Sequence, residues 1–452
     1  MKLIKKIGKQ IGIDEAILFT SFSRILQGLG GIVSALFVAS YLTGIEQGFY
    51  FTFASILAIQ VFFELGLNGI ITQYVAYEAS QLTLDGNKYD GDEKFRSRMA
   101  SLLHFCIKWY GFLAFGLFII LSLTGYVFFN QFYKAEAPVS WLFPWLLLSV
   151  GTTLFFMLSP FIAFIEGLGK VKEIAKIRLI QQVASMLVIW SGLFFGLKLY
   201  VGGVATLISV IILIYFILKK FFPLLSNIYS TKITERVSYR YEIFPFQWKI
   251  ALSWVSGYFI FQLFNPVLFA TEGAVVSGQM GMTLTVLNAI LGFTLSWITT
   301  KVPIFSGLIA QKNYVQLNSL FNKTLWQSSL INLFGLIGVL LLIFFIRYFN
   351  IIVGGKVIGD RFLPFLPMLM MMLPIFLNHV VAALATYLRC HKREPMLVQS
   401  ITMGVLCSLS TVFLGRYFGL TGMTFGYMIL IIISFIWTCF IFETNKRELH
   451  NS

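Results

Sequence analysis

Charged and amide side chains occur at only a few positions inside long apolar stretches of this sequence. Arg24 is the first of them, about ten residues into the first stretch, on the same helical face as Gly28, Gly31 and Ala35. A guanidinium among small residues can bind a pyrophosphate through paired hydrogen bonds, and charges inside apolar helices commonly serve function. The alternative is that Arg24 reaches the interface or pairs with a carboxylate.

A second candidate is Glu64, the one carboxylate deep inside an apolar stretch. Gln60, Glu64, Asn68 and Thr72 recur at every fourth residue and would form a polar stripe along one helix. Such a stripe is expected to face the interior or a wet cavity. Glu64 could then pair with Arg24, bind a coupling cation or carry a proton; hydrogen bonding that only holds helices together explains the pattern equally well.

Polar residues in the second half of the chain are weaker candidates. Gln262 and Asn265 lie in one apolar stretch, and the next carries a stripe of small and polar residues: Gly281, Thr285, Asn288, Gly292, Ser296 and Thr299. Close helix packing explains that stripe about as well as a cavity wall does.

Lys249 and Lys301 lie near the ends of two apolar stretches, where a phosphate-bearing group could approach. Lysines commonly anchor helix ends at the membrane surface, and this is the favoured interpretation. Asn378 and His379 could line a cavity or bond to a neighbouring helix.

Signatures of catalysis, nucleotide binding and metal binding are missing from the sequence. Gly354-Gly355-Lys356 is not followed by Ser or Thr, as a phosphate-binding loop requires. The segment 85–93 lacks two of the defining positions of a calcium loop, and the four cysteines form no CxxC pair. We therefore expect no enzyme activity, no cofactor and no bound metal, and transport becomes the leading class of function.

The composition of the chain predicts that membrane-spanning helices carry these residues. The 452 residues are 58% hydrophobic and only 12% charged, whereas soluble domains carry about 25% charged residues. Twelve stretches are long enough to span a bilayer as helices: 15–42, 49–81, 100–129, 139–165, 176–197, 200–218, 246–268, 274–304, 320–346, 362–388, 394–415 and 417–441. The least certain split separates 176–197 from 200–218.

Basic residues predict the orientation of these helices. Of the 34 lysines and arginines, 26 fall in one alternating set of loops and 6 in the other, while Arg24 and Lys108 lie inside spans. The basic loops are expected to be cytoplasmic, which places both termini in the cytoplasm. The same distribution accounts for the net charge of +15, so nucleic acid is not an expected partner.

A polar segment at 219–245 divides the predicted helices into six and six. We therefore predict an N-terminal bundle over 1–218, a cytoplasmic linker over 219–245 and a C-terminal bundle over 246–452. An even number of spans in each half makes the two halves a parallel repeat. One short sequence match agrees with such a repeat. Gly48 lies at the start of the second predicted helix and Gly278, 230 residues later, lies at the start of the eighth.

The first 80 or so residues resemble a known family. Three segments carry the likeness: Arg24-Ile-Leu-Gln-Gly-Leu-Gly-Gly, Tyr41-Leu-Thr-Gly-Ile-Glu-Gln-Gly-Phe-Tyr and Phe63-Glu-Leu-Gly-Leu-Asn-Gly. They are similar to the opening of the polysaccharide flippases of the MOP superfamily, the Wzx-like exporters of O-antigen and capsule. MATE drug exporters and lipid II flippases are relatives, and the latter typically have two more helices.

The resemblance implies a function. Such a protein moves undecaprenyl-pyrophosphate-linked oligosaccharide across the bacterial cytoplasmic membrane by alternating access, with sodium or protons as the candidate coupling ions. It implies membrane lipids, polysaccharide polymerase and glycosyltransferases as partners and a monomer as a sufficient unit. The substrate-binding set would be Arg24, Gln60, Glu64, Asn68, Lys249, Gln262, Asn288 and Lys301. The alternative is a MATE-like exporter of cationic drugs, which would favour several buried carboxylates; a membrane protein of assembly and a membrane-bound transferase are less favoured.

Overall fold

The computed structural model describes residues 15–133, 138–391 and 395–451, and side chains from residue 26 onward except those at 29, 246, 450 and 451. The first helices are α1 (Glu15–Tyr41), α2 (Gly44–Leu57), α3 (Val61–Glu64), α4 (Leu67–Ser80), α5 (Glu93–Phe132), α6 (Leu142–Gly167), α7 (Val171–Phe194), α8 (Tyr200–Phe216) and α9 (Phe222–Tyr229). They are followed by α10 (Phe244–Phe261), α11 (Phe264–Thr271), α12 (Ala274–Thr299), α13 (Val302–Ala310), α14 (Tyr314–Tyr348), α15 (Phe365–Cys390) and α16 (Leu397–Asn451).

Short elements connect these helices. A 3₁₀ turn, Ala58–Gln60, joins α2 to α3, and another spans Gly359–Arg361; π-helical turns occupy Ile217–Phe221 and Tyr239–Ile243. Two antiparallel hairpins pair β1 (Leu82–Asp85) with β2 (Lys88–Gly91) and β3 (Ile352–Val353) with β4 (Lys356–Val357).

Long apolar helices dominate the part of the chain that the structure describes. Ten of them are long and apolar enough to cross a bilayer. The last, Leu397–Leu449, is interrupted at Gly419, whose φ of 58° and ψ of −150° are not helical, so it comprises two successive helices. With α1 this gives twelve, and the predicted all-α polytopic fold is confirmed; α7 and α8 are separate helices, as predicted. The bacterial inner membrane and cytoplasmic termini stay predictions.

The chain folds into two compact units. Among the described residues, the first unit contains those up to 23 together with 56–131 and 140–255, and the second contains 24–55, 256–451 and the short segment around 132–139. The second half of α1 and most of α2 therefore belong to the second unit, and the segment 219–245 belongs to the first. The predicted division at 218 and 246 stays a prediction.

In the second unit, α2 crosses α12 at small residues. A methyl group on Gly48 would overlap the carbonyl of Ala274, and one on Gly278 would lie 2.8 Å from the backbone nitrogen of Gly48. The buried Gln47 side chain donates from Nε2 to the carbonyls of Gly278 (2.8 Å) and Arg361 (3.1 Å). Small residues let helix backbones approach closely where lipid offers no hydrophobic drive for association. The two glycines that the sequence aligns at an offset of 230 residues thus lie against each other.

In the first unit, the helical path of the second predicted span is broken. Leu65 and Gly66 both adopt left-handed backbone conformations, with φ of 47° and 70°. At Gly66 a side chain would collide with Ile250, so glycine also permits the close approach of α10. The break ends α3 at Glu64 and begins α4 at Leu67, which makes this a discontinuous helix.

The predicted linker is docked onto the first unit by hydrogen bonds. Arg98 on α5 donates from Nε to the buried Glu78 carboxylate (2.8 Å) and from Nη2 to Glu242. Partial burial acts to raise the pKa of Glu242, but hydrogen bonds from Arg98 and from the Ser238 backbone lower it below the ordinary value. The buried Ser97 hydroxyl accepts from the backbone nitrogen of Thr234 (2.7 Å). The linker therefore has a fixed path beside α5.

The crossing of α2 and α12 predicts unequal costs for two Gly→Ala substitutions. Gly48→Ala should lower the free energy of unfolding by about 1–3 kcal/mol because the helices must separate to admit a methyl group. Gly31→Ala on α1 is the matched control, since no neighbouring atom would lie within 4 Å of the added methyl group. Unfolding of the purified chain by SDS in mixed dodecylmaltoside micelles measures both, and equal stabilities would contradict the crossing.

Candidate functional site

The predicted polar stripe lines one cavity of the first unit. Gln60, Glu64, Asn68 and Thr72 all border this cavity, which has a volume of about 350 Å³. The helix break separates Glu64 from Asn68, yet Asn68 Nδ2 donates to Glu64 Oε1 (2.9 Å) and Thr72 Oγ1 donates to the Asn68 carbonyl (3.0 Å). Side-chain bonds therefore keep the stripe together across the interruption. We call this space the carboxylate cavity.

Asn68 is the centre of the hydrogen-bond network at this cavity. Its Nδ2 group also donates to Ser159 Oγ (3.1 Å) on α6, and its Oδ1 accepts from the hydroxyl of Tyr110 (2.9 Å) on α5. Tyr110 is fully buried, and its ring packs on Phe156 at a centroid distance of 5.1 Å. One amide thus connects three helices and fixes the Glu64 carboxylate, since both of its N–H donors and its oxygen are used.

A second carboxylate borders the same cavity. Glu166, near the end of α6, forms an ion pair with Arg178 on α7, with Oε1 2.9 Å from Nη1. The Glu166 side chain is 17% exposed and that of Arg178 is 55% exposed. Among the described residues that line the cavity, two carboxylates therefore face one guanidinium. Such a site favours a cation or a proton over an anion.

The second unit contains a cavity of about 340 Å³ with a different lining. Its walls are aromatic and aliphatic, and include Phe51, Phe261 and Phe264. Its polar groups are mainly amides and hydroxyls, which come from Ser55, Gln262, Asn265, Thr285, Asn288, Asn378 and Tyr427. No carboxylate, ammonium or guanidinium is found among the described residues that line it. We call this space the amide cavity.

Several polar groups of the amide cavity are open to a ligand. Asn265 Nδ2 donates to Ser55 Oγ (3.0 Å), but its Oδ1 is buried and has no hydrogen-bond partner in the described chain. Within the same described ranges, the side chains of Gln262 and Asn288 make no hydrogen bond to another residue. The Gln262 side chain is half-buried and that of Asn288 is exposed, so both amides can bond to a polar group that enters the cavity.

A helix interruption also borders the amide cavity. Helix α10 ends at Phe261 and α11 begins at Phe264, leaving Gln262 between them. Pro266 explains the break, because a proline has no N–H and its ring clashes with the carbonyl four residues earlier, that of Gln262. Irregular backbone at membrane depth is tolerated where it lines a cavity. Both cavities therefore lie at interrupted helices, an arrangement typical of transporter binding sites.

The structure distributes the eight predicted site residues unevenly. Gln60, Glu64 and Asn68 meet at the carboxylate cavity, and Gln262 and Asn288 meet at the amide cavity. Lys249 and Lys301 line neither: the exposed Lys249 lies 5.7 Å above the Trp248 ring, and Lys301 caps the start of α13. The side chain of Arg24 lies outside the described residues, so its pairing with Glu64 or with a ligand stays a prediction.

The stripe of small and polar residues on α12 contains some residues that line a cavity and others that serve close helix packing. Thr285 and Asn288 border the amide cavity, whereas a side chain on Gly281 would collide with Phe51, which is close packing. Ser296 and Thr299 donate to backbone carbonyls of their own helix.

Three residues that line the carboxylate cavity, and Tyr110, which bonds to Asn68 behind it, are not indicated by sequence patterns. Tyr110 is one aromatic residue among many, and Ser159 precedes a proline in an apolar stretch. Glu166 lies near the end of α6, and Arg178 lies two turns into α7. The sequence signal available for this pair is two opposite charges on successive helices that are joined by a short turn. Among the described residues, no group of three or more His, Cys, Asp or Glu side chains could hold a metal ion.

Comparisons with known proteins identify the fold. No family model matches the chain, and no curated protein matches it. Solved structures do: an inward-facing multidrug resistance MATE family transporter of the MOP superfamily (13% identity, TM-score 0.58, covering 92% of this chain and 99% of that one), and the lipid II flippase MurJ in an inward closed conformation (14%, 0.57, 94% and 87%). A MOP superfamily transporter from Pyrococcus furiosus also matches (13%, 0.54, 95% and 96%). The chain therefore shares the fold of these solved structures.

The Asn68 network predicts energetic coupling between α4 and α5. Asn68→Leu should cost about 1–3 kcal/mol of unfolding free energy because the buried Tyr110 hydroxyl loses its acceptor. Tyr110→Phe should cost about 0.5–1.5 kcal/mol alone but close to nothing in the Asn68→Leu background. Tyr126→Phe, the same change at an exposed position of α5, is the control. Additive costs in SDS unfolding of the four variants would show that the two residues are not coupled.

Proposed function

We propose that this protein is an alternating-access flippase that moves a lipid-linked oligosaccharide across the membrane. Two observations at the level of fold support the class: the chain is a multi-pass helical membrane protein, and it matches MATE and MurJ transporters over more than nine-tenths of its length. The resemblance of its first 80 or so residues to polysaccharide flippases suggests undecaprenyl pyrophosphate as the lipid carrier. The product would be a surface polysaccharide such as O-antigen or capsule.

The observation that carries the proposal is the uncharged polar lining of the amide cavity. Amides both donate and accept hydrogen bonds, as sugar hydroxyls do, so Gln262, Asn265 and Asn288 can match a sugar in either direction. Aromatic side chains provide the apolar walls that ligand pockets usually have. A cationic drug would instead need a carboxylate to offset the cost of losing its hydration. The lining therefore suits a neutral, hydroxyl-rich group.

In this proposal the carboxylate cavity serves energy coupling. Glu64 would take up a proton or a sodium ion, with Gln60 and Asn68 as neighbouring ligands or hydrogen-bond partners. Arg24, Lys249 and Lys301 are the proposed contacts for the pyrophosphate, whose charge requires a cationic path through the membrane. Polysaccharide polymerase and glycosyltransferases are the proposed neighbours in the same pathway, and a monomer suffices.

The second candidate is a MATE-like, cation-coupled exporter of cationic compounds. One observation favours it: the carboxylate cavity places Glu64 and Glu166 opposite a single exposed guanidinium, that of Arg178. A cavity of this charge can bind an organic cation directly as well as a coupling ion. The two functions differ in which cavity holds the transported molecule.

Transport by reconstituted protein tests the proposal. Proteoliposomes should translocate a fluorescent undecaprenyl-pyrophosphate oligosaccharide, and Asn288→Leu should slow the initial rate by about fivefold because one hydrogen bond to the sugar is lost. The double variant Gln262→Leu and Asn288→Leu should lose about tenfold or more. Asn322→Leu and Gln327→Leu are matched controls, exposed amides of α14 that line neither cavity.

The same preparation decides between the two candidates. Glu64→Gln should abolish the dependence of sugar translocation on a proton or sodium gradient without removing sugar binding. If the lipid-linked oligosaccharide stays in its leaflet while a cationic dye is exported in a Glu64-dependent way, the flippase proposal is wrong and the exporter is supported.

A further inference from the structure

A third cavity, of about 440 Å³, lies at the polar end of the first unit. Its walls are the β1–β2 hairpin, the first turns of α5, and the end of α9 with the residues that follow. It shares no residue with the carboxylate cavity, and neither the transport proposal nor the comparisons assign it a role. Most of its polar lining lies in the hairpin and linker, in loops that the distribution of basic residues predicts to be cytoplasmic.

Basic side chains dominate the charge of this cavity. Lys88 comes from the hairpin, Arg96 from α5 and Lys232 from the linker, and Glu93 is the one carboxylate among its described lining residues. The hairpin and α5, which are neighbours in the chain, each contribute one cation to this space, and the linker, which is distant from both in sequence, contributes a third. This convergence gives the cavity a formal excess of positive charge, which favours an anion.

Arg96 shows that a hydrogen-bond acceptor is missing here. Its Nε atom is buried and has no partner among the described residues. The nearest ion pair joins Nη1 to the carboxylate of Asp90 at 3.9 Å, and the Asp90 side chain is 76% exposed. An exposed pair at that distance contributes little. A buried guanidinium donor without an acceptor is unfavourable, so a small shift of the Arg96 side chain that brought Nε against a ligand oxygen would be favoured.

The walls of the cavity are held in place by hydrogen bonds. Asn227 Nδ2 on α9 donates to the carbonyl of Asn87 (2.9 Å), which fixes the hairpin turn that carries Lys88. The Ser97 hydroxyl accepts from the backbone nitrogens of Thr234 (2.7 Å) and Glu235 (2.8 Å), which fixes the linker just after Lys232. The cations are therefore presented by an organised frame, which lowers the entropy lost on binding.

We propose that this cavity is a binding site for a phosphate-bearing anion. A guanidinium binds phosphate oxygens through paired hydrogen bonds, and flanking lysines add charge without demanding a fixed geometry. The start of α5 contributes the positive end of its helix dipole on the same side. Either an anionic phospholipid headgroup or a soluble phosphate ester carries this chemistry. The site is independent of the transported molecule.

Binding by the full-length chain tests the site in two arms. In neutral dodecylmaltoside micelles, sodium pyrophosphate is titrated calorimetrically into wild type, Arg96→Gln, Lys232→Gln and Lys94→Gln. In nanodiscs of phosphatidylcholine with or without phosphatidylglycerol, native mass spectrometry counts the phosphatidylglycerol molecules retained by the same four proteins. Lys94 is the matched control, an exposed lysine of α5 that is 3.9 Å from Glu235 and does not line the cavity.

We expect Arg96→Gln to weaken binding by about tenfold or more, because a charge-assisted hydrogen bond is lost. Lys232→Gln, at an exposed linker position, should weaken it by a smaller factor, and Lys94→Gln should behave as wild type. If the substitutions weaken the binding of pyrophosphate alone, the ligand is a soluble phosphate ester. If they weaken the retention of phosphatidylglycerol alone, the ligand is a phospholipid headgroup. If all four proteins bind both probes equally, or none binds either, the site does not exist.

Discussion

Inside a bilayer every backbone N–H and C=O group must find its partner within the protein, because no water is present to supply one. This constraint explains why the described chain is built almost entirely from long helices. It also makes the places where helices are interrupted structurally significant, because their backbone groups need other partners. The two interruptions at Leu65–Gly66 and at Gln262–Leu263 each border a cavity with polar side chains. Polar side chains are therefore concentrated beside the places where the helices are interrupted.

The two cavities differ in the chemistry that they offer. The carboxylate cavity contains an organised network in which one amide, that of Asn68, holds Glu64 in place and connects three helices. The amide cavity contains unused hydrogen-bonding groups at Gln262, Asn265 and Asn288 and no charged group in its described lining. A fixed carboxylate suits a small ion or proton, and free amides suit a larger neutral group. The proposed division between coupling and substrate binding rests on this difference.

Much of the fold follows from sequence because hydrophobic length is a strong signal in membrane proteins. Most ends of the predicted stretches agree with the observed helices to within several residues, and the close pair α7 and α8 is separated correctly. The larger differences are at α5, which begins at Glu93 and not at 100, and at α16, which continues to Asn451 and not to 441. The break at Leu65 was not predicted, because a leucine in a left-handed conformation is sterically unfavourable and is imposed by tertiary contacts such as that of Gly66 with Ile250. Pro266 is a local sequence signal for the other break, at Gln262–Leu263. That the break places Gln262 at a cavity depends on the path of the backbone and is not visible in the sequence.

The sequence predicted the site residues that follow a local periodic pattern. It did not predict those that are brought together by contacts between distant parts of the chain. The stripe from Gln60 to Thr72 is periodic, and its residues meet at one cavity although the helix between them is broken. Glu166 and Arg178 pair across two helices, and Tyr110 meets Asn68 from 42 residues away, so neither contact has a periodic signature. Lys249 and Lys301 were attractive as cations, but the structure places them away from both cavities.

In the proposed function, the amide cavity recognises the sugar of a lipid-linked substrate. The most direct measurement compares translocation of undecaprenyl pyrophosphate with and without its oligosaccharide, by wild type and by Asn288→Leu in the same proteoliposomes. We expect wild type to prefer the glycosylated carrier and Asn288→Leu to reduce this preference by about fivefold, the value of one hydrogen bond. A preference that is absent in wild type, or unchanged in Asn288→Leu, would contradict it.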